Sequence, residues 1–199
     1  MEVKSGSIEE RIINASFHIL EKEGISGATT KKIATQAEVS EVTLFRKFEN
    51  KQKLIEAAKD YYCNNLISKL EEIFESTPET SVEEYLTSCF YKVANLTDYE
   101  LNIIKVGLEE VRNIPTENKV FLRISETIIL KLKNFFSLKI QQNEIRKINP
   151  EILALNMFSI LFESIILWKV YGKTPQYPID KYIEDFLDII LNGIKSDIK

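Results

Sequence analysis

The stretch that decides the reading of this chain is residues 29–51, TTKKIATQAEVSEVTLFRKFENK. It divides into two short helical segments, about 30–37 and about 41–48, joined by a tight turn. Ala34, Val39 and Leu44 have the spacing of packing positions: a small residue at 34 lets two helices approach, while Val39 and Leu44 fill the space between them. Glu41, Val42, Thr43, Arg46 and Lys47 are then left facing outward. These are short or cationic side chains of the kind that enter a DNA major groove from a helix-turn-helix.

The rest of the composition narrows what can carry such an element. The chain has 199 residues, of which 44% are hydrophobic and 10% aromatic, enough to form a core. Six glycines and five prolines are too few for the turns of an all-β chain. Long segments repeat instead with a period near 3.6 residues, which predicts an all-α fold. The formal net charge of −4 argues against non-specific coating of nucleic acid. It leaves room for a local cationic patch, here Lys31, Lys32, Arg46, Lys47 and Lys51 against Glu38, Glu41 and Glu49. Cys63 and Cys89 have neither metal-type spacing nor a disulfide framework and read as reduced core thiols of a cytoplasmic protein. The start of the chain, MEVKSGSIEE, has no apolar run, and no signal peptide is expected. The longest apolar stretch, 152–170, is interrupted by Asn156, Glu163 and Lys169. It reads as a buried helix of a soluble protein, with no membrane as partner.

Working outward, residues 1–6 read as a loose arm. Ser7 and Glu10 have capping-box spacing and predict a helix from Ile8, with Ile12, Ala15, Ile19 and Leu20 inward and an end near Gly24. His18, the one histidine, has no partner at ligand spacing and reads as structural. Thr29 is placed to cap the next helix. Asn50 can cap a long helix from Lys51 to about 76, with Leu54, Ala58, Tyr61, Tyr62, Leu66, Leu70 and Ile73 at helical spacing. That length would carry it out of the helix-turn-helix unit into a second domain. Ser81 and Glu84 restart a helix with Val82, Tyr85, Leu86, Cys89, Phe90 and Val93 on one face. Helices over about 99–113 and 116–140 follow, the latter with Phe121, Ile124, Ile128, Leu132 and Phe135 in one stripe. Asn149 and Pro150 open a helix over about 150–171. Its nearly all-round apolarity predicts burial on more than one side. A last helix, about 179–195, sets Ile179, Tyr182, Ile183, Phe186, Leu187, Ile190 and Ile194 opposite Lys181, Glu184, Asp185 and Asp188. The expectation is nine helices in two domains, a helix-turn-helix unit over 1–50 and a helical domain over 51–199.

Over about residues 8–55 the chain resembles the TetR family of bacterial transcriptional regulators. The residues that carry the resemblance are Ile12-Ile13-Asn14-Ala15, Gly24, Thr29-Thr30, Ile33-Ala34, Ala37-Glu38-Val39-Ser40, Thr43-Leu44-Phe45-Arg46-Lys47-Phe48, and Lys51 with Leu54. The resemblance implies three helices for DNA and six for ligand binding and dimerisation. It implies that Thr29 and Thr30 start the second helix against phosphate, that Lys31 reaches a base edge or phosphate, and that Ser40 starts the recognition helix. Glu41, Val42 and Thr43 would face base edges, with the glutamate accepting from a cytosine amine and Val42 touching a thymine methyl. Arg46 and Lys47 would reach phosphate or guanine, and Lys51 a phosphate. Two residues depart from the pattern. Glu38 stands where glycine is usual, which at positive φ costs about 1 kcal/mol. Phe45 stands where tyrosine is frequent; its ring can pack but has no hydroxyl for phosphate, which shifts weight to Lys47 and Lys51.

Beyond the motif the readings stay paired. The helices over 150–171 and 179–195 either form a four-helix homodimer interface with a second copy or belong to an internal core. In the first case the DNA operator is double-stranded and near-palindromic, with half-sites about 34–36 Å apart. Phe90, Leu101, Ile104, Leu108, Phe121, Ile128, Phe158 and Phe162 either wall a pocket for a small apolar or amphipathic ligand or fill the core. Asn102, Glu109, Asn156 and Glu163 are the candidate polar anchors, Glu163 foremost, because a carboxylate in a mostly apolar helix needs a partner. No Ser/His/Asp set, metal cluster, P-loop or GxGxxG points to an enzyme, and no metal or cofactor is expected. The expected function is a homodimeric repressor released from its operator by a ligand. The alternative is a helical ligand-binding or adaptor protein without ligand-controlled release.

Overall fold

Helix caps set the framework. Ser7 opens α1 (Ile8–Gly27): its hydroxyl accepts from the Glu10 amide at 3.2 Å while the Glu10 carboxylate accepts from the Ser7 amide at 2.8 Å. Gly24 breaks the helical geometry at φ 68°, where the sequence predicts the end, and one further turn follows before Ala28. The computed structural model describes residues 6–109, 119–173 and 175–193. Among them run α2 (Thr30–Gln36), α3 (Glu41–Phe48), α4 (Lys51–Ile73), α5 (Val82–Ala94), α6 (Asp98–Glu109), α7 (Val120–Gln141), α8 (Pro150–Ile165) and α9 (Ile179–Asn192), nine α-helices in all, with a π-helical turn over Ile166–Val170. The fold is all-α, as expected. Ser81 and Glu84 form a second capping box, and Asn149 caps α8 ahead of Pro150. Asn50 Oδ1 accepts from the Lys53 amide at 2.9 Å, starting α4 at the expected place. The expected arm over 1–6, except Gly6, the ends of the helices expected at 113, 116 and 195, and Ile194 lie outside the described residues.

The chain forms two compact units, residues 1–68 with 98–124 and residues 69–97 with 125–199. In the first, Ile12, Leu20, Ile33, Leu44, Leu54 and Leu101 are buried core residues. Phe17 stacks on Tyr62 with ring centroids 3.7 Å apart, and the Tyr62 hydroxyl donates to Asn14 Oδ1 at 2.9 Å. Burial raises the Tyr62 pKa far above its ordinary value. A β-carbon on Gly107 would meet the Phe121 amide at 3.1 Å, so this glycine sets how closely α6 approaches the start of α7.

In the second unit Tyr85 stacks on Phe135 at 3.7 Å and its hydroxyl donates to the Phe74 carbonyl at 3.1 Å. Phe90 packs against Phe186 at 4.7 Å. Lys139 is fully buried and resolves its charge by donating to the Pro78 carbonyl at 3.0 Å and to Glu144 Oε1 at 2.7 Å. Cys63 and Cys89 are buried and outside any disulfide, and burial pushes the Cys89 thiol up to about 12.

Helix α8 leaves one face open within its unit. Only one of its faces is buried, through Ala154, Met157, Phe158, Leu161, Ser164 and Ile165. The opposite stripe is open: Ile152 is 56% and Leu155 51% exposed, and Asn156, Ser159 and Glu163 continue it. The all-round apolarity meets only one packing face within the unit. By length and composition alone Pro150–Val170 would serve as a membrane span, though Glu151, Glu163 and Lys169 charge it.

Candidate DNA interface

Helices α2 and α3 are short, and their geometry is held by explicit partners at both ends. Thr29 caps α2 by accepting from the Lys32 amide at 3.3 Å, and Ser40 caps α3 by accepting from the Thr43 amide at 3.1 Å. The turn between them closes with the Val39 amide donating to the Ala34 carbonyl at 2.9 Å. Ala34 and Leu44 are buried and Val39 is half-buried, as their spacing predicts. Glu38 has φ 55°, the left-handed conformation that glycine adopts without cost. Arg11 Nη2 donates to the Glu38 carbonyl at 3.1 Å and helps to hold that backbone in place.

Leu44 and Phe48 anchor α3 inward. Its other face is open. Val42 is 79% exposed, Phe45 is exposed, Glu41, Arg46 and Lys47 are exposed, and Thr43 is half-buried with its hydroxyl 2.9 Å from Ser40 Oγ. Thr30 Oγ1 donates to Glu41 Oε2 at 2.8 Å, joining the first residues of the two helices.

The cations differ in what they are free to do. Lys47 pairs with Glu9 at 3.6 Å, and Lys32 pairs with Glu23. Lys51 is half-buried and donates to the Ile25 carbonyl at 3.2 Å, tying the start of α4 to the end of α1. The side chains of Lys31 and Arg46 have no ion pair among the described residues. Sequence spacing did not reveal Glu9, Glu23 or the Ile25 carbonyl as partners, because each lies outside the motif and meets it only through tertiary packing.

The candidate ligand residues scatter. In the first unit Asn102 is buried with Oδ1 accepting from Lys105 at 3.2 Å, Leu108 and Phe121 are half-buried, and Glu109 is exposed. In the second, Phe90 and Phe158 are buried and Phe162 stacks on Phe158 at 5.7 Å. Asn156 and Glu163 are exposed on the open stripe of α8, where solvent meets the carboxylate's need for a partner. A small apolar crevice in the second unit is lined by Phe90, Leu161, Ser164, Trp168 and Lys169 among others; of the candidates only Phe90 reaches it.

The fold and the open face of α3 define a class. Residues 12–58 match the family model described as bacterial regulatory proteins, tetR family. Over these residues the amino-terminal helices are similar to that family. It is 46% identical over 63 residues to the HTH-type transcriptional regulator YvkB of Bacillus subtilis, a match covering 32% of this chain and 33% of that protein, so the chain spans about a third of that relative's length. The solved transcriptional regulator FadR from Bacillus subtilis, in complex with stearoyl-CoA, shares the fold with a TM-score of 0.67 and 20% identity over 94% of this chain and 99% of that one. AibR, solved with isovaleryl coenzyme A and operator DNA, does so with a TM-score of 0.62 and 19% identity over 94% and 99%.

Proposed function

We propose that this protein is a homodimeric, sequence-specific DNA-binding transcriptional regulator, a repressor released from its operator by a small amphipathic ligand. The observation that carries the DNA part is the open face of α3, with Val42 nearly free of neighbours and Glu41, Arg46 and Lys47 beside it. In this reading residues 1–50 form the DNA domain and 51–199 the helical ligand-binding and dimerisation domain. Thr29, Thr30, Lys31, Phe45, Arg46, Lys47 and Lys51 lie against the backbone, while Ser40, Glu41, Val42 and Thr43 start the helix that reads base edges.

The homodimer forms through α8 and α9. Ile152, Leu155 and Ile189 are large apolar side chains left exposed on these helices, and a second copy would cover them. Two proteins of the same fold are solved with acyl-CoA thioesters, which makes this amphipathic class the first to test here. A ligand releases DNA only if it binds the non-binding spacing of the two domains better than the binding one. Helix α4 passes from one compact unit into the other and is the element suited to transmit that difference.

The test selects bound DNA from a random pool with the full chain, then titrates acyl-CoA thioesters of increasing length into the complex. The reading expects a near-palindromic site and release by at least one chain length. A site bound with unchanged affinity across the series would remove this ligand class, and a pool with no enriched sequence would remove the DNA function.

A further inference from the structure

Within the DNA-reading assignment, one hydrogen bond has a role that helix capping does not explain. Thr29 and Ser40 already cap α2 and α3. Thr30 is the first residue of α2 and Glu41 the first of α3, eleven positions on, and the Thr30 hydroxyl donates to Glu41 Oε2 at 2.8 Å. An exposed glutamate at the start of a short helix would otherwise sample several rotamers. Here one carboxylate oxygen is held, and no hydrogen bond to Oε1 is found among the described residues.

A carboxylate only accepts hydrogen bonds. In the major groove guanine presents two acceptors, thymine an acceptor and a methyl, adenine a donor beside an acceptor, and cytosine a donor amine. A carboxylate held at a fixed place finds a donor with no neighbouring acceptor on cytosine, only acceptors on guanine and thymine, and on adenine a donor flanked by the N7 lone pair. If unrestrained, it would swing into solvent at a wrong base and lose that repulsion. We propose that Thr30 is a positioning residue that holds Glu41 as a cytosine reader and as a penalty against other bases at the same position. The proposal rests on the DNA-binding reading and adds a specificity determinant to it.

The experiment takes the site recovered from the random pool and measures affinities for all four bases at each position, with the full-length wild type, Thr30→Val, Thr30→Ser, Glu41→Gln and the Thr30→Val/Glu41→Gln double variant. Valine keeps the branched shape and removes the hydroxyl, both as donor to Glu41 and as a contact to the DNA backbone, so the readout is the ratio between bases rather than the absolute affinity. The wild type is expected to prefer cytosine at one position of each half-site by about 10-fold or more. Thr30→Val and Glu41→Gln should each bring that ratio below about 3-fold. Thr30→Ser should restore it, and the double variant should lose no more than Glu41→Gln alone. Thermal melts of each variant check that the fold is kept. If Thr30→Val weakens all four bases equally and leaves the ratio intact, or if no cytosine preference depends on Glu41, the positioning role is overturned while DNA binding stands. A pool that yields no sequence overturns the DNA reading and this proposal together.

Discussion

Helices α3 and α8 each bury one face and leave the other open, yet the two open faces are of opposite kinds. On α3 the exposed residues are Glu41, Val42, Phe45, Arg46 and Lys47, mostly charged and content in water. On α8 the exposed stripe is led by Ile152 and Leu155, which are not. The first face is held in shape by caps, by the Thr30–Glu41 bond and by the inward anchors Leu44 and Phe48. The second is held by the Asn149 cap, by the Lys133–Glu151 pair and by packing on the side away from the opening. A charged face is solvated until a partner binds it; an apolar face gains most when it is covered and stays covered.

The comparison breaks most sharply at the anchor of α3. Leu44 is fully buried, and Leu44→Ala should cost about 2–5 kcal/mol, read as loss of thermal stability. A loss under about 1 kcal/mol would mean that α3 is held by its hydrogen bonds instead. On α8, Leu155→Asp should leave the melting temperature nearly unchanged and weaken self-association by about 30-fold, measured by sedimentation equilibrium. A wild type that runs as a monomer at micromolar concentration would remove the homodimer altogether. Lys51→Ala should weaken binding to every DNA sequence and lower the salt slope by about one, with a stability loss of about 1 kcal/mol from the Ile25 carbonyl it leaves behind. Arg46→Ala should lower the slope with stability intact, since Arg46 has no such bond. The smallest effect is expected at Glu38, where Glu38→Gly should raise stability by up to about 1 kcal/mol by relieving φ 55°, seen as a rise of a few degrees in melting temperature.

What the sequence made legible was whatever is encoded locally. The capping boxes at Ser7 and Ser81, the Asn149–Pro150 start, the Asn50 cap and the break at Gly24 each involve residues within a few positions of one another. The bounds of α3 and the packing of Ala34 and Leu44 follow from the same short-range pattern. Tertiary choices were not legible. Periodicity showed that α8 is apolar all round but not that its unit supplies only one packing face, nor that Asn156 and Glu163 would share the open one. The count of cations in residues 29–51 could not show that Lys32 and Lys47 meet glutamates of α1, or that Lys51 is spent in part on a backbone carbonyl.

The π-helical turn that continues α8 has a geometric consequence. The Tyr171 amide reaches back five residues to the Ile166 carbonyl at 2.9 Å, so the segment holds one more residue than an α-helix of the same span. Each residue of an α-helix advances the direction of its side chain by about 100°. The turn therefore acts as a vernier, resetting the azimuth of the last residues of this helix, 166–170, while the stripe from Ile152 to Glu163 stays where it is. Trp168, the one tryptophan, lies within this turn and stands edge-on to Tyr182 at 4.9 Å. Removing a single residue from 166–170 is expected to rewind the turn to α-helical geometry and rotate the residues after the deletion by about 100°.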